Sequence, residues 1–171
     1  VSIERLAVAD PSTLGLVGTG HQSIFQLEAA LRVRAFEQVK IWNRSSRDLS
    51  KHHALAESYG VACNEASLEE VVRESQVIIT ITSCMEALFP SDWVNFGTHI
   101  AAMGTDTKGK QELDPTVSQR AKRITDEIAQ SRTIGEFQHV ASDSEILTIG
   151  SILQGTATGR TGDHQITVFD G

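Results

Sequence analysis

The chain has 171 residues, is 40% apolar and 22% charged, and carries a formal net charge of −7. That length and composition suit one globular domain with a full core. The acidic balance excludes a generic nucleic-acid or anionic-membrane surface, which needs clustered Lys and Arg. Cys63 and Cys84 stand in no C-x-x-C or metal-ligand spacing, no leader pattern opens the sequence, and no apolar run nears a membrane span. Buried free thiols in a cytoplasmic protein without a metal are expected.

In chain order, β-like and α-like segments alternate. Residues 13–17 predict a first strand and residues 21–35 a helix apolar on most sides. A second strand follows at 39–42, then a helix over 46–59 stopped by Gly60 as its cap. Residues 61–63 form a short third strand, and Ser67-Leu68-Glu69-Glu70 is a capping box opening a brief helix. Residues 76–82 are a β-branched, continuously apolar run, which is the pattern of a central buried strand. A single turn at 90–93 precedes a fifth strand at 98–103. Asp114-Pro115 reads as N-cap and first residue of a helix to about 121. A sixth strand at 123–126, helices over 127–133 and 144–153, and a closing strand at 165–169 complete the pattern. Residues 155–163, rich in Gly and Thr, are expected to be the most mobile loop, with Arg160 a surface cation. The alternation predicts an α/β fold: a Rossmann-like, doubly wound, mostly parallel sheet with helices on both faces, as a single domain over 1–171.

The turn after the first strand carries the chemistry. Gly18-Thr19-Gly20-His21-Gln22-Ser23 follows an apolar run and opens a helix, the context of a G-x-G-x-x-G/A dinucleotide fingerprint with Ser23 as its third small residue. Gly18 suits a tight turn, and Gly20 allows close approach of a diphosphate. The helix start offers free N–H groups and a positive dipole end to an anion. The alternative is a plain βα turn that binds nothing. The second strand ends in Asn43-Arg44-Ser45-Ser46-Arg47. No carboxylate stands where a ribose 2′-OH is usually held. An arginine with two hydroxyls at a helix start matches a 2′-phosphate, so NADP is favoured and NAD is the alternative.

These residues extend into a wider likeness. Gly18-Thr19-Gly20-His21-Gln22, Ile41-Trp42-Asn43-Arg44-Ser45, Thr80-Ile81-Thr82-Ser83, residues 99–106, Lys110-Gln111-Glu112-Leu113-Asp114 and residues 166–170 resemble, in order and spacing, the ornithine cyclodeaminase/mu-crystallin family over nearly the whole chain. The W-N-R-[ST] turn is similar to that of NADPH-binding members. The resemblance implies a nucleotide-binding domain serving hydride transfer on an amino acid or cyclic imine, as in ketimine and pyrroline-carboxylate reductases. It also implies that Thr82 and Ser83 lie beside the cofactor ribose and that Asp106 exchanges a proton with the substrate. Without the resemblance, Asp106 reads as an Asx-turn residue. Ala101 stands where the family has Asn, and Ala87 where it has Pro. The family's substrate and dimerisation domain is largely absent, so the isolated chain is expected to be inactive alone. An amino acid or imine is the expected substrate of a longer parent, and exposed apolar surface is expected to favour homo-oligomers.

The remaining constellations are quieter. His52 or His53 is expected on the core side of the second helix, and Glu136 is read as structural. Two other functions stay open at this point: an ornithine cyclodeaminase with internally recycled NAD, and a non-catalytic nucleotide-binding module.

Overall fold

The computed structural model describes residues 1–171. Eight strands, β1 (Thr13–Val17), β2 (Gln38–Trp42), β3 (Ala62–Glu65), β4 (Val77–Thr80), β5 (His99–Ala102), β6 (Lys122–Thr125), β7 (Leu147–Thr148) and β8 (Thr167–Asp170), form one sheet. Their order is β3-β2-β1-β4-β5-β8-β6-β7, and every pair is parallel. The helices are α1 (Ser2–Leu6), α2 (Ser23–Val33), α3 (Ser50–Ser58), α4 (Leu68–Glu74), α5 (Pro115–Arg120), α6 (Ile128–Thr133) and α7 (Ile149–Leu153).

Strand alternation divides the core into two layers. Leu14, Leu16, Val77 and Ile79 join Leu27 and Leu31 of α2 and Ala56 of α3 in one cluster. Val17, Ile78, Ile100 and Val168 join Val71 and Val72 of α4 and Val117 of α5 in the other. All five residues of β1 are buried, as its central place requires. Gly15 lets α4 press on β1, because a Cβ there would meet Val71 Cγ1 at 2.8 Å and Ser75 Oγ at 2.7 Å. The capping box at Ser67 and Glu70 forms in full, and the Asp114 side chain caps α5 by accepting from Thr116 N.

Several expectations are corrected. The helix expected from Ser46 begins at Ser50, whose N–H is taken by Asp48 Oδ1 at 2.9 Å, so residues 43–49 are loop. The expected helix over 144–153 divides. Leu147 and Thr148 pair with Ile124 and Thr125 of β6, and the Thr148 hydroxyl then caps α7. The closing strand, β8, lies between β5 and β6. Arg160 is not a surface cation. Its half-buried guanidinium donates to the carbonyls of Leu6, Gly97 and Gln165, tying the loop to α1 and to the sheet. Below it His99 is fully buried. Burial and the Arg160 charge push its imidazole down to about 3, so it is neutral. The helix α1 is an element that the sequence pattern did not announce; its buried Ile3 and Leu6 hold it on the sheet.

Candidate functional site

The sheet order reverses at β1, which has β2 on one side and β4 on the other. In doubly wound sheets ligands bind in the crevice beyond the strand ends at this point. Here the crevice is a cleft of about 370 Å³ between the loops that follow β1, β2 and β4. Gly18, Thr19, Gly20, His21, Gln22, Asn43, Arg44, Ser45, Thr82 and Ser83 all line it. The structure therefore brings together every cofactor-binding residue expected from the sequence.

The two motif glycines serve different needs. Gly18 has φ +103°, and its N–H donates to Trp42 O at 2.9 Å. A Cβ there would sit 2.8 Å from Thr82 Cγ2 and closer still to Ile81 O. The fold itself thus demands glycine at this position. Gly20 is different: its φ is not positive and a Cβ would meet nothing within 4 Å. No neighbour in the chain requires glycine there, and the open space lies on the cleft side, at the N-terminus of α2. Ser23, the third motif position, is fully buried. Its hydroxyl donates to Gly20 O at 2.7 Å and lies 2.8 Å from Nε2 of His52, the core-side histidine of α3. Thr19 Oγ1, buried beside the cleft, has no partner within the chain. An orphaned hydroxyl is costly unless something else bonds to it.

On the β2 side the Asn43 amide donates to Ser45 O, fixing the turn. Arg44 reaches across the cleft to Cys84, with Nη2 2.6 Å from Sγ. Arg47, Trp42, Ile81 and Cys84 also line the cleft and were not singled out from the sequence. Cys84 is buried, as expected, in the loop after β4. Cys63 is half-buried in β3, and burial raises its thiol to about 11.

Behind the β4 wall stands a brace of buried carboxylates. Glu112 Oε1 accepts from Thr82 N (2.6 Å) and Thr82 Oγ1 (2.7 Å). Its Oε2 accepts from Thr80 Oγ1 (2.7 Å) and Gly104 N (2.9 Å). Glu136 Oε1 accepts from Leu113 N at 2.8 Å. Its Oε2 accepts from Glu112 N at 3.1 Å and Thr105 Oγ1 at 2.6 Å. Asp170, at the end of β8, accepts from the Ser131 hydroxyl and from the backbone of Glu136 and Phe137. Burial raises all three carboxyls, against the lowering effect of these donors, and Glu136 reaches about 7. Glu136 is structural, as expected. Glu112 was missed: it sits inside a quoted motif, but only the fold reveals which donors surround it.

Asp106 lies in the loop after β5, at the same edge of the sheet, and does not line the cleft. Its side chain is 76% exposed and pairs with Lys110 Nζ at 3.0 Å, which holds its carboxyl below the usual range. No group of three His, Cys, Asp or Glu side chains is arranged to hold a metal ion, and no helix is long and apolar enough to cross a membrane.

A parallel sheet wound in both directions from β1, with a glycine-lined cleft at the reversal, defines a Rossmann-like α/β protein. The Ornithine cyclodeaminase/mu-crystallin family profile matches residues 1–171, and the chain belongs to that family. It is 43% identical to the iminosuccinate reductase of Paracoccus denitrificans, with 100% of this chain and 55% of that protein covered. The crystal structure of that reductase in complex with NAD+ superposes with a TM-score of 0.92 over 99% of this chain and 54% of its own. An archaeal alanine dehydrogenase dimer with bound NAD gives a TM-score of 0.93 at 32% identity, covering 99% of this chain and 54% of that one. The ornithine cyclodeaminase of Brucella abortus is 28% identical over 99% of this chain and 48% of its own length. The chain thus spans about half the length of the curated relatives it matches.

Proposed function

We propose that residues 1–171 are one dinucleotide-binding domain, and that it holds a nicotinamide dinucleotide for reduction of an imine or oxidation of an amino acid. The carrying observation is Gly20: a glycine that no neighbour requires, facing open cleft at the start of α2 beside the orphaned Thr19 hydroxyl. The residues fit the cofactor. N–H groups from Gly20 to Gln22 would hold the diphosphate, residues 43–47 the adenosine end, and Thr82 and Ser83 the second ribose. When bound, the nicotinamide supplies or accepts a hydride. The likeness to a reductase and a dehydrogenase with bound NAD supports this reading.

At the adenosine end we favour NADP(H) over NAD(H). No carboxylate awaits a 2′-OH, and Arg44 and Arg47 line the wall that a 2′-phosphate would face. Both relatives with a bound cofactor carry NAD, so NAD(H) is the competing occupant. Fluorescence titration with NADPH and NADH decides: about tenfold tighter NADPH binding is expected from one charge-assisted phosphate contact. Equal affinities would remove that role from Arg44.

The chemistry on substrate belongs to a longer parent in this reading. Its substrate would be an amino acid or cyclic imine, and the parent would assemble as a homo-oligomer in the cytoplasm. The ionised Asp106 would serve there as the group that moves a proton to or from the substrate nitrogen. Turnover of pyrroline-2-carboxylate with NADPH by the parent, and none by the 171-residue chain, is the expected pattern.

A further inference from the structure

Glu112 is four-fold hydrogen-bonded yet touches neither the cleft nor solvent. Its place explains the arrangement. One carboxylate oxygen holds the first residue of the β4 wall, Thr82, by both N–H and hydroxyl. The other holds Gly104, where the loop bearing Asp106 leaves β5. The Thr82 hydroxyl also accepts from Cys84 N at 3.2 Å, which passes the anchorage one step along the wall. Gly104 has no side chain because the carboxylate fills that space: a Cβ would meet Glu112 Cδ at 2.5 Å.

From this geometry we infer that Glu112 is a positioning residue for the cofactor. It sets the separation between the β4 wall and the Asp106 loop, and so the seat of the nicotinamide half. This rests on the dinucleotide reading above. The two backbone donors make the role specific to a carboxylate. Thr82 N–H addresses Oε1 and Gly104 N–H addresses Oε2, so both oxygens must accept. In Glu112→Gln the new NH2 group faces one of these N–H groups whichever way the amide turns. One loop must let go, while side-chain size is unchanged. The adenosine half, built by the loops after β1 and β2, makes no contact with Glu112.

The test compares two ligands on the 171-residue chain by calorimetry: ADP, which needs only the adenosine and diphosphate half, and NADPH, which needs both halves. Glu112→Gln is expected to weaken NADPH about tenfold and to leave ADP within about twofold, the loss of one charge-assisted contact region. Equal NADPH affinity in variant and wild type overturns the inference, and so does an equal loss of both ligands, which is the mark of a merely structural role. If Glu112→Gln does not fold, Thr80→Val decides. It removes one bond to Oε2 outside the cleft, and NADPH should weaken about threefold with ADP unchanged; no change overturns the inference. Failure of wild type to bind NADPH, NADH or ADP overturns the dinucleotide reading itself.

Discussion

Substituting Gly20 by Ala separates the fold's needs from the ligand's. The added methyl meets nothing within 4 Å, and φ at Gly20 is not positive, so the native backbone accepts it without strain. Stability should be unchanged or higher by about 0.4–1 kcal/mol, because alanine has less conformational freedom to lose on folding. A bound diphosphate, however, would have to approach the N–H groups at this helix start to about 3 Å. The methyl intrudes on that path. Losing one charge-assisted hydrogen bond, about 1.5–3 kcal/mol, weakens NADPH by roughly tenfold to 150-fold. Gly18→Ala is the counterpart. Its φ of +103° and the crowding by Ile81 O and Thr82 Cγ2 should cost about 3 kcal/mol or more of stability. Thermal melts and NADPH titrations on both variants are the assay. A Gly20→Ala chain that binds NADPH as tightly as wild type refutes the placement of the diphosphate at this turn.

Other outcomes follow from the same geometry. Arg44→Ala should weaken NADPH about tenfold and leave NADH within about twofold, read by fluorescence titration. In a parent protein that turns over, Asp106→Asn should lower kcat by on the order of a hundredfold with NADPH affinity unchanged, read by steady-state kinetics and titration. Glu136 keeps its proton to about pH 7 when folded, against an ordinary value of 4.5. Its contribution to stability is therefore full below pH 4.5 and is lost as pH rises through 7. Relative to Glu136→Gln, wild type should lose on the order of 3 kcal/mol between about pH 4 and pH 8 in denaturant titrations.

The sequence carried strands β1 to β5 and the residues that meet in the candidate cleft well, because both rest on local signals. Continuous apolar runs marked β1 and β4, the glycine turn marked the start of α2, and short polar signatures marked the caps of α4 and α5. Where partners distant in sequence decide, local pattern was mute. Leu147-Thr148 looks helical until β6 offers an edge, and Arg160 looks exposed until three carbonyls surround it. The Arg44–Cys84 contact and the Glu112–Thr82 bonds join residues 40 and 30 positions apart, which no spacing rule within one element reveals. Asp106 is singled out only by the family likeness. Its exposed pairing with Lys110 is what a plain surface turn would also show.

The insertion of β8 has a consequence for how the molecule is assembled. The pair β6–β7 has no ladder to the remaining strands except through residues 167–170. The cleft-bearing strands β3, β2, β1, β4 and β5 pair with one another without β8. The far pair is joined to the rest of the sheet by that one strand, which sits between the two groups as a keystone. The same strand brings the Thr167 hydroxyl against the carbonyl of Leu6, so residues 161 positions apart are tied at this seam.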